Sequence, residues 1–171
     1  MRTVLGTAVT LAAALTLSAC GGSDDGSGAA PTREAPKIAA EGPHFPECAG
    51  VSDEEITAIF QLPTPVVTRN SVGCVWEIVG GPSVSFSWYR GSPIGREAAG
   101  SDRIGRPPDK IEIEGQPGFV GSLASASICE IGVQFGDDFV HWSVTYAASR
   151  PAADPCTVAK ELAALSVKRR K

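Results

Sequence analysis

Five cysteines are the residues of this 171-residue chain best suited to chemistry, and their surroundings divide them into one and four. Cys20 closes the run Leu17-Ser18-Ala19-Cys20, which follows Met1-Arg2 and an uncharged stretch, 4–17, rich in Leu, Ala, Val and Thr. About 14 apolar residues fall short of the roughly 20 that span a bilayer and match the apolar region of a secretory signal. Small residues before a cysteine at the end of such a segment form a bacterial lipobox. There a diacylglyceryl group alkylates the thiolate, and cleavage leaves Cys20 as the new N-terminus. Cys48, Cys74, Cys129 and Cys156 are an even set in a chain marked for export and read as two disulfides. Three connectivities are open. The pairs Cys48–Cys74 and Cys129–Cys156 are expected because each closes a sequence-local loop. Zinc is the competing use of such thiols, but there is no CxxC and only His44 and His141 to join them, so no metal site is expected.

Other chemistry is sparse. GxSxG, HExxH, a P-loop and a GxGxxG after a strand are all absent. His141 falls on the polar face of an alternating segment, which predicts a surface histidine, and His44 stands beside Pro43 where it is expected to be solvated. The most unusual run is Ser87 to Glu97, SWYRGSPIGRE, which leaves a strand, turns through Gly and Pro and enters a short helix. Arg90, Arg96 and the backbone N–H groups after Ser92 make a candidate anion site, and Trp88 and Tyr89 a candidate wall for a ligand. The bland alternative is a strand-to-helix turn with solvated arginines, and tryptophans that pack the core.

The elements that must position these residues are legible from periodicity. Ser52 with Glu55 is a capping box, Val51 with Ile56 a hydrophobic staple, and Ile56, Ile59 and Phe60 an apolar helical face ended by Pro63. The acidic run Asp53-Glu54-Glu55 is explained by the helix dipole. Asp154-Pro155 opens a last helix with Val158, Leu162 and Leu165 on one face and Lys168-Arg169-Arg170-Lys171 at its end. Between them, period-two alternation marks strands at Val84–Trp88, Ile131–Phe135 and Val140–Tyr146. Gly136-Asp137-Asp138 is a hairpin turn between the last two. Shorter candidates are Val75–Val79, Ile111–Ile113 and Phe119–Gly121, and a middle helix weakened by Gly95 and Gly100 runs from Ser92-Pro93 towards Asp102. The expected fold is α+β, with a mostly antiparallel sheet of five to six strands, N- and C-terminal helices, a short middle helix and two disulfides.

Composition agrees, with 43% hydrophobic and 20% charged residues, the balance of one globular domain. Residues 1–19 are assigned to the signal, 20–44 to the lipidated cysteine and a Gly/Ala/Pro-rich tether, and 45–171 to the domain with its basic tail. From Cys20 to Val167 there are 10 basic and 19 acidic residues, a charge of −9, which disfavours nucleic acid as a partner. The basic tail could add attraction to anionic lipid, although a solvated helix end is the more ordinary role.

Several blocks carry a family resemblance. They are the Cys20 lipobox, Phe45-Pro46-Glu47-Cys48 leading into Val51-Ser52-Asp53-Glu54-Glu55, Asn70 to Trp76, Ser85 to Glu97, Cys129 to Phe135 and Cys156 to Leu162. Together they resemble an actinobacterial envelope lipoprotein family of unknown function with mycobacterial members. The resemblance covers about Phe45 to Leu165, with all four domain cysteines inside matching blocks. It implies an exported, membrane-anchored protein and brings no catalytic residues. The expectation is a non-enzymatic accessory of the cell envelope without a cofactor. Its partners would be the membrane through its lipid, and an envelope protein or a small-molecule or lipid ligand. A carrier of an apolar molecule, with a cavity lined by Trp88, Val140 and Trp142, is the alternative. An enzyme would need His141 in a cleft within reach of an acid or hydroxyl.

Overall fold

The first helix begins where its cap dictates. In the computed structural model, which describes residues 44–171, Ser52 Oγ accepts from the Glu55 N–H and Glu55 Oε2 from the Ser52 N–H, closing the capping box. Helix α1 (Asp53–Phe60) follows, buries Ile56 and Phe60, and ends at Gln61 in the left-handed conformation. Cys20, the signal segment 1–19 and the tether up to residue 43 lie outside the described residues.

Seven strands form one antiparallel sheet: β1 (Val66–Asn70), β2 (Gly73–Glu77), β3 (Ser83–Tyr89), β4 (Asp109–Ile113), β5 (Gln116–Leu123), β6 (Ile128–Phe135) and β7 (Asp138–Thr145). Their order, β1-β2-β3-β7-β6-β5-β4, joins a three-stranded and a four-stranded meander along β3 and β7. Helix α2 (Ile94–Arg103) makes the crossover between the meanders, and α3 (Pro155–Arg169) follows the last strand. The expected count of five to six strands is corrected to seven. The additional strand is β1, whose residues VVTRN do not alternate because it is a largely exposed edge strand with a single partner. A local turn forms its hairpin, in which Asn70 Oδ1 accepts from the N–H groups of Val72 and Gly73.

The inward face of the sheet carries Trp76, Val84, Phe86, Ile131, Val133, Val140, Trp142 and Val144, all buried, and α1 and α3 cover it. The two fully buried indoles are satisfied: Trp142 Nε1 donates to Ser166 Oγ at 2.8 Å and Trp76 Nε1 to Asp53 Oδ1 at 2.7 Å. Disulfides join Cys48 to Cys74 and Cys129 to Cys156, the sequence-local connectivity. The first ties the turn Glu47–Gly50 to β2, and the second ties β6 to α3.

The outward face is divided. Over β3 and β7 it presents Ser83, Ser85, Ser87, Ser143 and Thr145, half-buried. Over β5 and β6 it is covered by α2. Two glycines make room on this face: a Cβ on Gly121 would stand 2.3 Å from Ser101 Oγ of α2, and one on Gly132 2.4 Å from the ring of Phe119, its neighbour on β5.

Candidate functional site

Beneath α2 lies a buried polar cluster that strand alternation alone does not reveal. Glu130, on the outward face of β6, is 3% exposed. Arg106, in the loop after α2, grips it with two hydrogen bonds, Nε to Oε1 at 2.9 Å and Nη2 to Oε2 at 3.0 Å. Ser101 Oγ donates to the Arg106 carbonyl at 2.6 Å, which fixes the loop. His141 is 8% exposed, and its Nε2 stands 3.3 Å from Glu130 Oε2, within ion-pair range but out of line for a hydrogen bond. Burial alone would push the Glu130 carboxyl up. The neighbouring His141, Arg106 and Ser101 outweigh it and hold the group at about 2. We assign the stronger hold to Arg106, whose planar fork makes two aligned bonds. The expected surface histidine is thus corrected: His141 is buried, with the Phe119 ring beside it on the polar face of β7. It does stand beside an acid, and both groups are buried.

The Trp88 region forms a second candidate. Trp88 is the half-buried indole among the three tryptophans. Its ring meets His44 edge-on at 5.6 Å and Phe45 at 5.4 Å, and the Arg90 guanidinium lies 4.1 Å over its face. Trp88 Nε1 is buried without a hydrogen-bond partner among the described residues. An open groove of about 430 Å³ runs here between His44, Val72, Trp88 and Arg90. A neighbouring groove of about 280 Å³ is lined by Tyr89, Ser92, Arg96, Glu97 and Phe139. The residues proposed as one anion site are therefore parted. Arg90 is turned onto Trp88, Arg96 lines the other groove, and the Gly91 N–H is taken by Asp138 Oδ1 at 2.9 Å. Pro93, before α2, supplies no side-chain cap.

The basic tail is engaged rather than free. Arg169 makes two bonds to the Glu55 carboxylate and one to the Gly50 carbonyl, Lys168 pairs with Glu114, and Arg170 lies 5.5 Å from the Phe135 ring. His44 pairs with Lys171 through both backbone groups, at 2.9 and 2.8 Å. His44, where the described residues begin, thus lies beside the end of α3. No signal in the sequence announced that juxtaposition. Among the described residues no His/Cys/Asp/Glu group has metal-site geometry, and no helix is long and apolar enough to cross a membrane.

Comparison with known proteins places these features in a lineage. Residues 15–169 match the family described as "Protein of unknown function (DUF3558)". The chain is 45% identical over 135 residues to "Putative lipoprotein LprB" of Mycobacterium bovis and of Mycobacterium tuberculosis H37Rv, covering 74% of this chain and 72% of each relative. It is 46% identical over 134 residues to the protein of the same name in Mycobacterium leprae, covering 74% of this chain and 71% of that relative. No solved structure matches.

Proposed function

The chain belongs to the DUF3558 family, and from that premise we propose that it is a lipoprotein anchored through Cys20 on the outer face of the cell membrane. Its domain, on this reading, binds a ligand or partner and catalyses no reaction. The observation that carries the proposal is Leu17-Ser18-Ala19-Cys20, a lipobox heading a chain whose relatives bear the name lipoprotein. Two or more acyl chains on one cysteine would hold it stably, where a single chain gives marginal binding. The two disulfides fit an oxidising compartment beyond that membrane.

A binding rather than catalytic role is supported by the state of the Glu130–His141 pair. Its acid is paired with Arg106, and its imidazole is buried beside Phe119. The alternative of an apolar carrier finds less support, because Val140 and Trp142 are fully buried against packed side chains and would have to part to admit a guest.

Replacement of Cys20 tests the anchor. Cys20→Ser should move the protein from the membrane to the soluble fraction and abolish its labelling by radioactive palmitate. A mutant that stays membrane-bound and labelled overturns the proposal. Native mass spectrometry of protein purified from its own envelope then reads the binding role directly, as a reproducible added mass that is lost on denaturation.

A further inference from the structure

Exposed apolar and cationic side chains lie together at the end of the domain that holds His44. Val72, at the tip of the β1–β2 hairpin, is 60% exposed and stands next to Trp88, whose backbone N–H donates to the Val72 carbonyl at 2.9 Å. Arg90 extends over the same indole, and His44 closes the groove from the other side. From Trp88 the aromatic contacts continue through Phe45 to Phe135, over which the exposed Arg170 lies. An exposed aliphatic tip, an amphipathic indole and long cationic side chains are the residue types that settle at the headgroup level of a bilayer. The carboxylates of the same end are largely committed: Glu114 to Lys168, Glu55 to Arg169 and Asp138 to the Gly91 N–H. Of the other charged side chains, Arg90, Arg170 and Lys171 are three cations against the two acids Glu47 and Asp137, a slight basic excess on a chain of net charge −4.

Covalent geometry supplies the proximity. Cys20 precedes His44 by 24 positions, which confines the groove to within roughly 85 Å of the modified sulfur even at full extension. A tethered surface meets its target at high effective concentration, so a weak intrinsic affinity is enough to fix an orientation.

We propose that this end of the domain, with Val72, Trp88, Arg90 and Arg170, docks on the anionic phospholipid headgroups of the membrane that holds the anchor. The proposal rests on lipidation at Cys20.

Trp88 provides the reporter, because Trp76 and Trp142 are fully buried. The lipidated full chain is reconstituted on vesicles of three parts phosphatidylcholine to one part phosphatidylglycerol, with and without a nitroxide on some phosphocholine headgroups. Docking predicts that the protein floats with the vesicles and that nitroxide removes up to about a third of its tryptophan emission, one indole in three. That loss should vanish in Trp88→Phe. In a chain carrying Arg90→Glu and Arg170→Glu, both at exposed positions, the docked-to-free ratio should fall at least roughly fivefold per cation removed. Flotation with equal emission in both vesicle types overturns the docking alone, as does quenching that survives the double charge reversal. Failure to float overturns the anchor and the docking with it.

Discussion

Glu130 shows how much a single buried carboxylate depends on its neighbours. Removed from water, it is kept ionised by the bidentate Arg106 and the adjacent His141, with its acidity held at about 2 against 4.5 for a free side chain. A folded-state value below the unfolded one means that the stabilisation is complete above pH 4.5 and is lost as pH falls from there towards 2. For a shift of this size the contribution is on the order of 3 kcal/mol. Urea titrations of the wild type between pH 6 and pH 2.5 should show that loss, and Glu130→Gln should flatten the acid limb. Arg106→Ala leaves a buried charge without its partner and should cost about 3–5 kcal/mol at neutral pH, more than Glu130→Gln. Equal acid sensitivity in wild type and Glu130→Gln contradicts the assignment. This cluster was illegible in the sequence for a physical reason. Alternation places Glu130 and His141 on the polar face of their strands, and their burial comes from what lies over that face: α2 and the Arg106 loop at Glu130, the Phe119 ring at His141. Trp142, on the apolar face, was legible as a core residue because strand period alone decides its side of the sheet.

At the scale of elements, α1 and α3 are joined through one side chain. Glu55 completes the Ser52 capping box and receives both nitrogens of the Arg169 fork, at 2.7 and 2.6 Å. Arg169 first, and then the Ser52 backbone N–H, hold its carboxyl at about 2. The cap was readable, since Ser-x-x-Glu before an apolar run is a local pattern. Its partner 114 positions away was not, because a basic helix end predicts only a dipole interaction and gives no address for it. Ser52→Ala should cost about 1 kcal/mol through the lost cap. Arg169→Ala should free both Glu55 and the Gly50 carbonyl. Because both side chains act on Glu55, Ser52 Oγ on its backbone N–H and Arg169 on its carboxylate, the double mutant should depart from additivity by at least about 0.5 kcal/mol in a thermal-unfolding cycle. Strict additivity would show that the clasp and the cap work independently. The edge strand β1 follows the same rule of legibility: VVTRN has no pattern to detect, because one paired edge and an exposed surface ask for none.

For the molecule as a whole, the two disulfides decide whether the fold persists in a reducing environment. They span 26 and 27 positions, and chain-entropy arguments give each roughly 3.5 kcal/mol of stabilisation, a large share of the 5–15 kcal/mol typical of a domain. The bridges differ in what they hold. Cys129–Cys156 joins a central strand to α3 with no left-handed residue at either end, whereas Cys48–Cys74 secures a turn in which Cys48 and Ala49 have φ of 52° and 58°. Left-handed backbone at residues other than glycine costs on the order of 1 kcal/mol each, and it persists only while its surroundings impose it. Opening the Cys48–Cys74 bridge lets that turn relax and recovers part of what the constraint contributed. Paired Cys→Ser replacements should therefore rank unequally: loss of Cys129–Cys156 lowers the urea midpoint further than loss of Cys48–Cys74, despite loops of nearly equal length. The variant lacking both should unfold below the growth temperature of an ordinary mesophile. The reverse order would mean that the turn beside His44 is held by more than its bridge, with the His44–Lys171 backbone pair and the Arg169–Gly50 bond as the contacts to remove next.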